Sequence, residues 1–154
     1  MNSSRRPFII FGIVIATAII LRMIYWLSPM KEFRVVIGGQ SIIVEVARDE
    51  ETRRRGLSGR MTLAQDHGMF FIFPEKSAER FWMKDMFIPL DMIWIDDGKI
   101  VDILPRVPAP AFGALDSALP FYAPKMPATR VLEVNAGTAE RLGWKIGDTV
   151  FTSF

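Results

Sequence analysis

The sequence predicts a mainly β, α+β fold: a small barrel-like antiparallel sheet domain with two short helices, preceded by one N-terminal transmembrane helix. Three observations carry this reading. From Glu32 onward the chain consists of short apolar runs separated by tight-turn pairs such as Gly38-Gly39. Helical patterning is confined to two segments, Asp49–Arg55 and Ala136–Leu142. Near the start, the twenty residues Phe8–Leu27 carry a single charge, Arg22.

That first run sets the organisation: a basic cytoplasmic N-terminus (1–7), a transmembrane signal anchor (8–27), a linker (28–32) and an extracytoplasmic domain (33–154). At 1.5 Å per residue, a twenty-residue helix spans roughly 30 Å, the hydrocarbon thickness of a bilayer. Arg5 and Arg6 precede the run. The positive-inside rule therefore places the N-terminus in the cytoplasm and the domain in the periplasm or exterior. Tyr25 and Trp26 suit an interfacial aromatic belt, and Ser28-Pro29 ends the helix. A cleaved signal peptide competes, because Ala16-Thr17-Ala18 has the A-x-A form. The apolar run nevertheless continues through Ile19-Ile20-Leu21. Both readings export the domain.

Within the domain, Phe33–Ile37 and Ser41–Ala47 flank Gly38-Gly39 as a hairpin. Asp49–Arg55 reads as a short helix with Asp49 as N-cap and Gly56 as its stop. Met69–Phe73 is an apolar strand ended by Pro74, and Arg80–Lys84 is extended. Leu90–Ile95 and Lys99–Leu104 flank Asp96-Asp97-Gly98 as a second hairpin. Pro105–Pro127 holds six of the ten prolines and reads as a long loop. Arg130–Val134 is a strand, Ala136–Leu142 a helix capped by Asn135 and stopped by Gly143, and Lys145–Phe151 the last strand.

Charge and composition prune the functions. The chain's net +2 and pI near 9.1 are unevenly distributed. Residues 1–31 hold four of the nineteen basic residues and no acid, so +4. The remaining 15 basic residues face all 17 acids, so the domain carries −2, which argues against nucleic acid as its partner. The mean hydropathy of +0.22 owes part of its value to the anchor. With no Cys and a single His, His67, thiolate and multi-histidine metal sites are excluded, and no cofactor is expected.

The densest motif is Arg80-Phe81-Trp82-Met83-Lys84-Asp85, followed by Ile88-Pro89-Leu90-Asp91-Met92-Ile93-Trp94-Ile95-Asp96. Three further blocks accompany it: Arg53–Arg60, Gly68–Pro74 and Val131–Gly137. In this order they resemble the bacterial and archaeal family called domain of unknown function 192, over about residues 40–151. The resemblance implies a compact β-rich domain, often exported, whose activity is not established. The family commonly has Asn where this chain has Asp85, and often Met where it has Ser58.

Five residues are candidates for ligand binding: Arg60, Trp82, Lys84, Asp85 and Asp91. In a strand, Trp82 and Lys84 share a face, offering an aromatic platform and a cation for an anionic or hydroxylated ligand. The alternative is that Trp82 is core and Lys84 pairs with an acid. Asp91 opens an apolar strand, where a carboxylate must be paired or hydrogen-bonded. Arg60 is a candidate partner for it, or for an acidic ligand. Arg53–Arg55 reads as a solvated helix face, and His67 as a solvated loop residue. Two function classes stay open, and with them the question of catalysis. One is a membrane-anchored ligand-binding or accessory module of the cell envelope, taking a small molecule, glycan or peptide. The other is an acid–base hydrolase, with glycans as one substrate class, using Asp85 and Asp91.

Overall fold

The computed structural model describes residues 33–153. The expected membrane segment, residues 8–27, lies outside the described residues. The domain is mainly β: a curled seven-stranded half-barrel sheet, a two-stranded ribbon and two short helices.

β1 (Phe33–Ile37) and β2 (Gln40–Ala47) form the expected hairpin. Gly38 and Gly39 both have positive φ, +58° and +79°, as a two-residue turn of matching twist requires. Helix α1 (Glu50–Arg55) is built as its sequence suggests. The Asp49 carboxylate accepts the Thr52 amide at 2.8 Å, two acids open the helix, three arginines close it, and Gly56 stops it at φ +51°.

α1 and the segment after it return the chain so that β3 (His67–Ser77) pairs with β2 in parallel. The sheet is therefore mixed rather than wholly antiparallel. The 19 residues between Ala47 and His67 are long enough for a crossover, which a parallel pair demands. β3 also runs through Pro74 instead of stopping before it. Its register with β8 (Ala128–Asn135) breaks between Ile72 and Ser77, so the missing proline amide falls where the ladder is interrupted.

β5 (Leu90–Asp96) and β6 (Lys99–Val107) form the second hairpin around Asp97 and Gly98, both at positive φ. With β8 (Ala128–Asn135) and β9 (Val150–Thr152) the strand order is β6-β5-β8-β3-β2-β1-β9. The two ends of this sheet meet at one corner. A bridge joins Lys99 to Thr149, and the Val150 amide donates to the Gly98 carbonyl at 2.8 Å.

Only two residues of the extended Arg80–Lys84 segment form a strand, β4 (Phe81–Trp82). Its partner is β7 (Phe121–Tyr122), which lies inside the Pro105–Pro127 segment. That segment is thus partly structured. β6 claims its first three residues, and a 3-10 turn occupies Asp116–Ala118.

The last helix, α2 (Thr138–Leu142), starts later than expected and is not capped by Asn135. Asn135 ends β8, and its amide nitrogen donates to the carbonyls of Leu63 and Ala64. Gly143 closes α2 at φ +72°, as expected. β9 is shorter than the expected Lys145–Phe151.

The central strands β3, β5 and β8 are buried on both faces, and two cores result. One gathers Val35, Phe70, Ile93, Leu132 and Trp144; the other Leu57, Met69, Phe71, Met92 and Trp94. Every residue of β5 is buried, which is why Met92–Ile95 reads as an apolar run between two buried aspartates, Asp91 and Asp96. Gly68 sets the spacing of β3 and β8. A Cβ there would stand 2.5 Å from the Glu133 carbonyl oxygen, so no other residue permits this approach.

Candidate functional site

Alternation along β8 sends Leu132 and Val134 into the first core and Val131 into the second. Glu133 stands opposite Met69 of β3 and Met92 of β5, both in the second core. Only 5% of Glu133 is exposed, and no hydrogen bond or opposite charge among the described residues offsets the desolvation of its carboxyl. Burial pushes its carboxyl up to about 8, so it is largely protonated at neutral pH.

The buried Glu133 lines a cleft of about 470 Å³. Leu57, Phe71, Phe81 and Met86 line its apolar part. The Phe81 ring meets Phe71 and Phe73 edge-on, with centroids 5.2 and 6.1 Å apart, which fixes this wall. The solvated mouth carries Arg54, Arg55 and Arg80 with Glu50 and Glu79. Arg53 also borders it, but its guanidinium donates to the backbone carbonyls of Arg48 and Ile72 and covers the Phe73 ring. The arginine run of α1 is therefore solvated and at the same time part of a cleft.

Trp82 stands at this mouth. It is 40% exposed and stacks on Phe121 at 5.8 Å with an interplanar angle of 8°, so it belongs to the surface and not the core. Lys84 lies on the same side, its ammonium 5.4 Å from the Trp82 ring centroid. It is paired with Asp116 of the 3-10 turn, and this bond raises the Lys84 pKa.

The other three candidates are elsewhere. Arg60 forms its bidentate pair with Glu45 of β2, not with Asp91. That bond holds the Glu45 carboxyl below its usual range. Asp85 has φ +56°, and its carbonyl accepts the Gly59 amide at 2.8 Å. After glycine, Asn and Asp are the residues that best tolerate this conformation, so the turn accounts for either residue at this position. Ser58 ties down the same turn, its hydroxyl donating to the Lys84 carbonyl at 2.9 Å. The exposed Asp85 borders a separate cleft of about 350 Å³, against Phe87 and Phe112.

Asp91 is fully buried. One of its oxygens accepts the amides of Arg106 and Gly137, and the other accepts Ala139, all at 2.8 Å. It caps α2 from a neighbouring strand. Both Asp91 oxygens are thus taken up by backbone amides, and Asp91 borders neither cleft, whereas Asp85 borders the smaller one. His67 opens β3, pairs with Asp66 at 2.7 Å and borders neither cleft. Among the described residues, no cluster of three His, Cys, Asp or Glu could hold a metal ion.

Sequence reasoning passed over Glu133. A signal was present: an acid at every-second-residue spacing from Val131, in a strand with apolar residues on both sides.

Residues 33–152 match the DUF192 family, described as an uncharacterised ACR. Two solved structures are similar. One is a protein from Sinorhizobium meliloti described as a candidate transcription regulator. It is 34% identical at a TM-score of 0.68, with 79% of this chain and 92% of that one covered. The other, of unknown function, comes from Novosphingobium aromaticivorans. It is 29% identical at a TM-score of 0.66, with coverage of 78% and 83%. No curated protein matches. The chain belongs to the DUF192 family.

Proposed function

We propose that this domain is a membrane-anchored, extracytoplasmic ligand-binding module of the cell envelope, whose ligand occupies the cleft between Trp82 and Glu133. The observation that carries the reading is the buried Glu133, without a partner among the described residues, lining a cleft with aromatic walls. Folded chains seldom bury an acid with no protein partner, and such groups concentrate at binding sites; the Glu133 side chain lines the cleft, where a ligand can reach it. Trp82 supplies an exposed platform at the entrance, and Lys84 with Asp116 holds the loop beside it. Arg60, by contrast, is committed to Glu45. The hydrolase alternative loses its support, because both oxygens of Asp91 are occupied by backbone amides.

A thermal-shift screen of the full-length chain in detergent, with envelope sugars and peptides, tests the binding function. Trp82→Ala should abolish the shift produced by any hit. The same substitution should alter unfolding free energy by less than about 1 kcal/mol, because Trp82 packs only against surface groups. A collapse in stability would make Trp82 a core residue and sink the platform. The anchor rests on residues 8–27, with Arg5 and Arg6 before them. A reporter fused after Phe154 should be active outside the cytoplasm; activity inside would reverse the topology.

A further inference from the structure

Resting on the cleft reading above, we propose that the ligand is an amphipathic organic anion: a neutral carbonyl, carboxamide or hydroxyl end meets Glu133, and the anionic end lies among the mouth arginines. The neighbours of Glu133 dictate the first half. Across both adjacent strands it faces methionines, Met69 and Met92, which offer no strong hydrogen bond. The charged groups bordering the cleft come from other elements: Glu50, Arg53, Arg54 and Arg55 from α1, and Glu79 and Arg80 before β4. None of them pairs with Glu133 among the described residues.

Its elevated pKa keeps the carboxyl neutral at pH 7, with one O–H donor and one carbonyl acceptor. A carboxamide matches both in a cyclic pair, and a ketone or hydroxyl matches one. A cation could instead ionise Glu133. It would have to shed its hydration in an apolar cleft, behind a mouth where four guanidinium groups outnumber two carboxylates. The same excess favours a carboxylate or phosphate at the outer end. Between the two ends, Leu57, Phe71, Phe81 and Met86 require an apolar body. About 470 Å³ accommodates one the size of a substituted aromatic ring.

Three para-substituted benzoates test this in the full-length chain in detergent: 4-carbamoylbenzoate, 4-methylbenzoate and 4-(aminomethyl)benzoate at pH 7. Binding is read from the labelled methyl group of Met86. The carbamoyl compound should bind about tenfold more tightly than the methyl compound, equivalent to one net hydrogen bond to a neutral partner. The aminomethyl compound should bind most weakly. Glu133→Gln should keep the carbamoyl preference, and Glu133→Met should erase it while still binding the methyl compound. Equal affinities for carbamoyl and methyl in the unmodified chain would overturn the assignment to Glu133 but leave the cleft. So would tightest binding of the aminomethyl compound with release of a proton. No Met86 shift with any of the three would overturn the cleft reading as well.

Discussion

Replacing Glu133 by Gln should raise the thermal midpoint at pH 8 by on the order of 10 °C, and far less at pH 4. In the unfolded chain the Glu133 carboxyl titrates near its usual 4.5; in the folded chain it titrates at about 8. Below pH 4.5 both states are protonated, and burial of the neutral acid carries no charge penalty. Between these values the unfolded state gives up a proton that the folded state keeps. Stability therefore falls as pH rises, by about 1.4 kcal/mol per unit, and levels off above pH 8. By pH 7 the accumulated loss is roughly 3 kcal/mol. Gln keeps the shape and does not titrate, so this loss disappears. For a domain of this size, 1 kcal/mol corresponds to about 4 °C. Circular-dichroism melts of both chains across pH 4–9 decide the matter. Parallel pH profiles would mean that Glu133 ionises in the fold as freely as in the unfolded chain.

This cost is itself informative. Several kcal/mol is a large part of the stability of a small domain. The cleft tolerates it where an apolar residue would pack without it, as expected of a site shaped by binding.

How much of this was legible depends on whether the determinant is local. The Gly38-Gly39 turn, the Asp49 cap and the Asp97-Gly98 turn are decided within a few residues, and each was readable. β5 was readable because burial on both faces leaves an apolar run. Asn135 shows the limit. It has the residue type and position of an N-cap, yet the cap comes from Asp91, 46 residues before Gly137. Asp91 was recognisable as a carboxylate needing partners, but not which partners. Arg60 offered a plausible fork and found Glu45 instead. The parallel pairing of β2 and β3 follows from where the crossover lands, which hydrophobic pattern does not specify. The cleft assembles from α1, β3, β4 and β8, far apart in sequence. Only Trp82 among the five candidates falls in it, because an aromatic beside charges is a local cue and an unpaired acid is not.

Asp91→Ala should destabilise the domain by roughly 4 kcal/mol, enough to unfold much of it near 37 °C. Three amides, those of Arg106, Gly137 and Ala139, lose their acceptor together. A buried N–H left without a partner costs about 1–3 kcal/mol, in full for Ala139 and in part for the part-buried amides of Arg106 and Gly137. Two of them belong to the first turn of α2, a helix of five residues that has no side-chain cap of its own. The third holds Arg106 at φ +56°, a conformation rare for a residue with a side chain. Asp91→Asn should fall between, losing roughly 2 kcal/mol, because one oxygen still accepts while the amide nitrogen meets an N–H head-on. Asp85→Asn, exposed and in a turn that Asn adopts readily, should stay within about 0.5 kcal/mol. Urea unfolding at pH 7, followed by the fluorescence of the buried Trp94 and Trp144, separates the three. The contrast reaches beyond stability. A carboxylate held for catalysis can be removed from a chain that remains folded, whereas one that organises three backbone amides cannot. An Asp91→Ala chain with unchanged unfolding would return this residue to the reactive candidates and, with it, the hydrolase reading.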